Sequence, residues 1–275
     1  MKELSQIECI DIRKTLLFEF HKMCEKNGLR YSIAYGTLLG AVRHGGMIPW
    51  DDDIDVVVPR EDFERLCAIY KQSDCKDRYQ FISHRNHPEI KTKIGYFIDF
   101  NTITETANKS WEYHGVHIDI YPMDIIPNKP SSKRQLLRRR WFLHKIIRAK
   151  DIHPEVMHGF SKFIRLVVLG LCAPFNYDKT LDKLHKVSMK YKDMPENERK
   201  EVCILVESGD PLCFPYAVTT EYATYDYDGH QYQGYKDYDS MLKIWYGDYM
   251  TPPAEKDRKM PEHKFVHFYL KDEEK

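Results

Sequence analysis

Asp51, Asp52, Asp53 and Asp55 fall within five residues in the segment Trp50-Asp51-Asp52-Asp53-Ile54-Asp55-Val56-Val57-Val58, and the valines behind them mark the mouth of a buried strand. Charge is costly there. At strand spacing Asp53 and Asp55 point to one face about 7 Å apart at Cα. Both ionised, they repel by roughly 2–4 kcal/mol at an effective dielectric of about 20. A divalent cation would reverse that sign. Mg²⁺ takes few hard oxygen ligands from a protein and shares itself with substrate phosphates, so this segment reads as the metal site of a phosphoryl- or nucleotidyl-transfer enzyme, with Mn²⁺ as the alternative ion. Asp51 and Asp53 are the rival pair if the strand starts early, and Asp52 is expected to point away.

Upstream, Tyr31-Ser32-Ile33-Ala34-Tyr35-Gly36-Thr37-Leu38-Leu39-Gly40-Ala41-Val42-Arg43-His44-Gly45-Gly46 reads as a short strand, a tight glycine turn and a helix start. Gly36 allows a phosphate to approach the backbone, Thr37 offers a hydroxyl, and the helix would aim its positive end at the anion. Arg43 and His44 add cationic or polar groups, and Gly45-Gly46 ends the helix. Further on, in Val116-His117-Ile118-Asp119-Ile120-Tyr121, the polar residues alternate with apolar ones, so Asp119 lies on a strand face opposite Val116, Ile118 and Ile120. His117 reads as packing beside the site rather than as a catalyst, and Asp124 as a turn acid.

The run Gly-Thr-Leu-Leu-Gly-Ala-Val-Arg-His-Gly-Gly-Met-Ile-Pro-Trp-Asp-Asp-Asp-Ile-Asp, residues 36–55, resembles the signature of the LicD family of nucleotidyltransferase-fold phosphotransferases. Gly115-Val116-His117-Ile118-Asp119-Ile120-Tyr121-Pro122-Met123-Asp124 is similar to the family's second acidic strand, and Tyr246-Gly247-Asp248-Tyr249-Met250-Thr251-Pro252-Pro253 to its C-terminal block. The resemblance covers about residues 1–125 and 229–267. It implies an α/β (α+β) nucleotidyltransferase-like core, a mixed sheet flanked by helices. It also implies that Asp53, Asp55 and Asp119 are the catalytic and metal-binding carboxylates. The implied partners are CDP-choline or a related CDP-alcohol as donor and a glycan or lipid-linked glycan as acceptor. A nucleotidyltransferase moving NMP from an NTP, or a catalytically silent glycan-binding scaffold, remain the alternatives.

Lys91 and Lys93 alternate in Glu89-Ile90-Lys91-Thr92-Lys93-Ile94-Gly95-Tyr96 and are expected on one side of a strand, at the phosphate or at a solvated edge. Arg258 and His263, after the C-terminal block, are candidates to close over the donor. The nine tyrosines from Tyr216 to Tyr249 could stack a base or hold a quaternary ammonium, but their spacing fits packing of a C-terminal lobe better.

Forty-two lysines and arginines balance 42 aspartates and glutamates over 275 residues, which argues against a nucleic-acid partner. Seven scattered cysteines without a Cys-x-x-Cys pair argue against a disulfide framework or zinc cluster and fit a reducing cytoplasm. Residues 5–27 read as a helix with Ile7, Ile10, Leu17, Phe20 and Met23 near one face, not as a secretory leader.

Local charge departs from the average only in the middle. Lys133, Arg134, Arg138, Arg139, Arg140, Lys145, Arg148 and Lys150 interleave with Leu136, Leu137, Trp141, Phe142, Leu143, Ile146 and Ile147 in a basic amphipathic helix. It could meet an anionic membrane surface, on the inner face of the cell membrane, or an anionic acceptor. The apolar run after Arg165 is too short to span a bilayer, which needs about 20 residues. The expected organisation is a catalytic core over 1–127, a helical basic insertion over 128–200 and a tyrosine-rich lobe over 201–275 that completes the core.

Overall fold

The computed structural model describes residues 1–71, 78–106, 115–151, 167–207, 209–260 and 266–272. In chain order the elements that position the site are β1 (Lys2–Glu3), α1 (Gln6–Asn27), β2 (Ser32–Ile33), α2 (Tyr35–His44), β3 (Asp55–Pro59), α3 (Arg60–Lys71), β4 (Tyr79–Ser83), β5 (Gly95–Asp99), β6 (Thr102–Thr106) and β7 (His117–Ile126). Then follow α4 (Pro130–Asp151), α5 (Tyr177–Ser188), β8 (Glu201–Cys203), β9 (Cys213–Pro215), β10 (Tyr222–Tyr227), β11 (His230–Tyr235), α6 (Tyr238–Tyr246) and β12 (Val266–Leu270).

α1 starts at a capping box. The Ser5 hydroxyl accepts the Glu8 N–H at 3.3 Å while the Glu8 carboxylate accepts the Ser5 N–H at 2.8 Å, satisfying two of the amides a helix start leaves over. Gly28 ends it in the left-handed region at φ 57°. The helix buries Leu16, Leu17 and Phe20, whereas Ile7, expected on that face, is 70% exposed. One turn before the buried stripe begins, it has nothing to pack on.

The main sheet runs β2-β3-β7-β5-β4, with β8 and β9 added beyond β7. Among the described residues only β3 and β7 pair in parallel; their neighbours are antiparallel. This is the mixed α+β, nucleotidyltransferase-like core expected from the sequence. Val56, Val57 and Val58 are wholly buried, because α1 packs on β5 and β7 while α3 packs on β3, β4 and β7. A strand covered on both faces has no use for alternation.

Asp124, expected in a turn, instead lies inside β7 with no exposure. The Arg60 guanidinium donates to both its oxygens, at 2.6 and 3.1 Å. Breaking such a pair leaves an uncompensated buried charge, at a cost of about 3–5 kcal/mol.

α4 and α5 pack through Leu143, Ile147, Leu181 and Leu184, and Leu136 seats α4 on Ile126, Cys203 and Leu205. Of the apolar segment expected over 160–175, residues 160–166 lie outside the described residues, and Val167 and Leu171 in the rest are exposed. Tyr227, Tyr232 and Tyr235 are buried. The hairpin that carries them is stitched to β2: the Tyr31 N–H donates to Gln233 Oε1 at 2.9 Å, and the Tyr235 N–H to the Ser32 hydroxyl at 3.0 Å. These tyrosines therefore pack the lobe. Among the described residues no helix is long and apolar enough to cross a membrane.

Candidate functional site

β3 begins at Asp55, and its first residue is held from two sides. The Thr37 hydroxyl accepts the Asp55 N–H at 2.9 Å, and the Asp55 carbonyl accepts the Ala34 N–H at 3.0 Å. Thr37 is buried, so its hydroxyl is committed to the strand and is not the phosphate-facing group expected from sequence. Parallel pairing sets Asp55 directly opposite Asp119, and the Asp119 N–H donates to the Ile54 carbonyl at 2.9 Å. Val116, Ile118 and Ile120 face the core while His117, Asp119 and Tyr121 face the other way, as the alternation predicts.

Residues 51–54 precede the strand as a loop, after a turn closed by the Asp51 N–H on the Ile48 carbonyl at 2.9 Å. Strand alternation does not govern them. Asp51 and Asp53 therefore converge with Asp55 on one cavity of about 280 Å³, which Tyr35, Gly36, Tyr121, Glu207 and Tyr246 also line. Asp52, expected to point away, keeps a carboxylate oxygen within 4.8 Å of ligand-competent oxygens of Asp51 and Asp53, although it is buried and does not line the cavity.

Gly36 is needed for a specific reason. A Cβ there would lie 2.3 Å from Asp51 Oδ2, so only glycine lets that carboxylate reach the cavity. Beside it Tyr35, the first residue of α2, sits at φ 45°. This is a conformation non-glycine residues adopt at a cost and one that gathers at functional sites.

The electrostatics of the cluster are unfavourable as it stands. Burial, then the Asp53 charge, pushes the Asp51 carboxyl up to about 7, and the same two causes, in that order, push Asp119 up to about 7. Asp55 is driven well above the usual carboxylate range by burial, then by Asp53, Asp119, Asp51 and Glu207. Hard carboxylate oxygens crowded at a cavity, with Asp53 raising Asp51, Asp55 and Asp119 alike, form a donor set that fits Mg²⁺ or Mn²⁺. Asp119 also accepts the Tyr121 hydroxyl at 3.3 Å and has His117 Nε2 at 3.6 Å.

A cationic group adjoins this cavity. Arg43 donates to the Tyr249 carbonyl at 2.6 Å. Arg258 donates to the Pro253 carbonyl at 2.8 Å and lies 5.2 Å over the Trp50 ring, which His44 meets edge-on at 5.5 Å. Burial and then Arg258 depress Arg43, while burial, Arg43 and Arg258 depress His44. Neither arginine has an acidic partner among the described residues. Tyr246 lines the acidic cavity and also senses Arg43, so it stands where the two sets of charge meet. The expected residues Arg43, His44 and Arg258 thus come together.

Lys91 and Lys93 do not join them. Both lie in the loop before β5, not on a strand. Lys91 sits over the Tyr177 ring of α5 at 5.6 Å, and Lys93 contributes to the field at His144 of α4. Loop geometry releases them from the alternation that would have aimed both at one side. His263 falls outside the described residues.

Sequence reasoning missed Glu207. It arrives 152 positions after Asp55, from the loop that follows β8, and accepts the Tyr35 hydroxyl at 2.7 Å. No local motif surrounds it; only the parity of an extra acid in a mostly apolar stretch, Val202-Cys203-Ile204-Leu205-Val206-Glu207, hinted at it. A larger groove of about 1550 Å³ between α4 and α5 is lined by cations such as Arg134, Arg138, Lys183 and Lys186, with Asp210 its one acid. Its lining is cationic, whereas the acids gather at the smaller cavity.

Residues 28–163 match the family model described as "LicD/FKTN/FKRP, nucleotidyltransferase domain". Over 96% of its length the chain is 26% identical to the lipopolysaccharide cholinephosphotransferase LicD of Haemophilus influenzae, of which the alignment covers 97%. A stretch of 38 residues, 14% of the chain, is 53% identical to part of the human ribitol 5-phosphate transferase FKRP, of which it covers 8%.

Proposed function

We propose that this chain, which belongs to the LicD/FKTN/FKRP nucleotidyltransferase-domain family, transfers a phospho-alcohol, phosphocholine first among the candidates, from a CDP-activated donor to a hydroxyl of a cell-surface glycan or its lipid-linked precursor. The observation that carries this reading is the end-to-end similarity to a lipopolysaccharide cholinephosphotransferase, over a chain whose carboxylates converge on one cavity. The short match to a ribitol 5-phosphate transferase keeps other CDP-alcohols in the set.

Asp51, Asp53 and Asp55 would hold Mg²⁺ or Mn²⁺, with Asp119 beside them. The ion, when bound, offsets charge on the donor's phosphate oxygens. The chain's own groups do the rest. Arg43, Arg258 and His44 receive the negative charge of the donor's diphosphate and of the departing CMP. The first turn of α2, from which Tyr35 and Gly36 line the cavity, presents backbone amides to the same anion. Tyr246 and Tyr121 line the cavity beside these acids. Positioning and electrostatics supply most of the rate, and no covalent intermediate is needed. The site of action is the cytoplasmic face of a membrane, where the exposed basic side of α4 meets anionic lipid headgroups.

CMP release from CDP-choline, CDP-ribitol and CDP-glycerol, in Mg²⁺ and in EDTA, tests the reading. Metal-dependent release from one donor supports it and names the head group. Pyrophosphate release from an NTP, with no CMP from any CDP-alcohol, would replace it with nucleotidyl transfer.

A further inference from the structure

Arg140 lies on the basic helix α4, yet it is only 2% exposed. Its guanidinium is spent on one loop. Nε donates to the Leu205 carbonyl at 2.8 Å, one terminal nitrogen to the Gly209 carbonyl at 2.9 Å and the other to the Glu207 carbonyl. His144, one turn further along α4, meets the Leu205 carbonyl at 3.0 Å. A planar fork of donors is the side chain that can bind three carbonyls of one turn at once.

The loop so gripped carries Glu207 into the acidic cavity. There Tyr35, held at φ 45°, donates its hydroxyl to Glu207 Oε2 at 2.7 Å. The other oxygen, Oε1, has no protein partner among the described residues and is not sealed from solvent. Glu207 also differs in origin from the other acids. Asp51, Asp53 and Asp55 come from one loop-strand junction and Asp119 from the adjacent strand, whereas Glu207 faces them from a separate segment with one oxygen to spare. A carboxylate steered by its neighbours but not consumed by them suits hydrogen bonding to a substrate hydroxyl.

We infer that Glu207 is a further catalytic residue, which accepts the proton of the acceptor hydroxyl, and that Arg140 is its positioning residue. This rests on the transferase reading above. In the step, the acceptor O–H bond breaks and its proton passes to Glu207 Oε1. The new O–P bond forms as the P–O bond to CMP breaks, and CMP carries off the electron pair. Asp119, nested between Asp55 and His117, then stays with the acids that face the phosphate. A helix whose surface is basic thereby acts on catalysis through one buried arginine.

The test uses full-length protein in four forms: wild type, Glu207→Gln, Arg140→Lys and Glu207→Asp. CMP release from CDP-choline is followed against pH, and melting is followed with Mg²⁺ alone and with CDP-choline. Hydrogen exchange over residues 203–212 is measured in parallel. For Glu207→Gln the expectation is a kcat at least 100-fold lower, with the melting shifts with Mg²⁺ and with CDP-choline retained; partial activity should return in Glu207→Asp. Arg140→Lys should raise exchange in 203–212 about tenfold or more while β3 keeps its protection, and should lower kcat with KM for the donor little changed. Undiminished turnover in Glu207→Gln would overturn the assignment, as would loss of its Mg²⁺ shift, which would make Glu207 a metal ligand. Unchanged exchange in Arg140→Lys would remove the positioning role. No CMP from the wild type with any donor would sink the transferase reading itself, a result distinct from all of these.

Discussion

Asp55 and Asp119 are direct partners in the parallel pairing of β3 with β7, so two acids that are 64 positions apart in sequence share neighbouring places at one end of the sheet. Adjacent strands lie about 4.8 Å apart, and like charges directly opposite destabilise a sheet. The fold has accepted that cost at the one place where strand ends open on a cavity. Asp119→Asn should therefore lower turnover by on the order of 10²–10³. In metal-free buffer at pH 7.5 it should raise thermal stability, by about 1 kcal/mol or roughly 2–4 °C. Calorimetry beside a CMP assay checks both. A variant that is both less active and less stable would mean that Asp119 has a structural role instead.

Arg258→Ala should act on the donor rather than on the chemical step. Arg258 depresses Arg43, both depress His44, and neither arginine has an acidic partner among the described residues, which fits an anion held before and during transfer alike. Uniform binding of that kind appears in KM with kcat little changed. A tenfold rise in KM, about 1.4 kcal/mol, is expected for the alanine variant, with less for Arg258→Lys. Initial rates over a range of CDP-choline concentrations separate the two parameters.

The strand acids were legible in the sequence because charge beside a run of valines has few structural excuses, and Asp119 because alternation assigns a face. Glycine at position 36 was legible as a close approach, but what approaches from within the protein is the Asp51 carboxylate. Residues 51–54 were harder. A strand was assumed to start at the charges, and a loop there brings Asp51 into the cavity and draws Asp52 near it. Lys91 and Lys93 failed for the same reason, since alternation has meaning only in a strand. Arg140 was not legible, and Glu207 only as an acid closing an apolar stretch. Helical periodicity places Arg140 among surface cations, and only the return of β8 onto β7 brings its loop within reach.

That distinction decides which arginines can serve a membrane. Arg140 is buried, whereas Trp141 and Phe142 beside it are 56% and 49% exposed, and Arg134 and Arg138 line the open groove between α4 and α5. Reversing Arg134 and Arg138 to glutamate should weaken binding to vesicles of 30% phosphatidylserine by roughly 30-fold or more, at about 1 kcal/mol for each cation near the surface. Activity on a soluble acceptor should be retained. Equal flotation of variant and wild type would end the membrane role. Arg140→Glu would not test it, because that change would unseat the Glu207 loop.

Acidification should stabilise the metal-free protein, opposite to the usual behaviour of buried acids in ion pairs. Asp51 and Asp119 have folded-state values of about 7, above the roughly 3.9 of an unfolded aspartate. Between those limits the folded chain holds protons that the unfolded chain has released. Their contribution is therefore full below about pH 4 and is lost as pH rises through about 7. His144 works the other way. Burial lowers it to about 4, so its contribution is full above the unfolded histidine value of about 6.5 and fades as pH falls toward 4. Between pH 8 and 6 the acids outweigh the histidines, because Asp51, Asp119 and Asp55 are all raised, whereas His144 and the likewise depressed His185 offset part of the gain as pH falls through about 6.5. Melting in EDTA should accordingly rise as pH falls from 8 to 6, and Mg²⁺ should flatten or invert that slope by favouring the ionised acids. The double variant Asp51→Asn/Asp119→Asn should lose part of the slope in EDTA, the remainder staying with Asp55. A melting temperature that falls steadily with acid in the wild type, with or without metal, would show that these carboxyls are ionised in the folded protein and that the crowding at the cavity is relieved some other way.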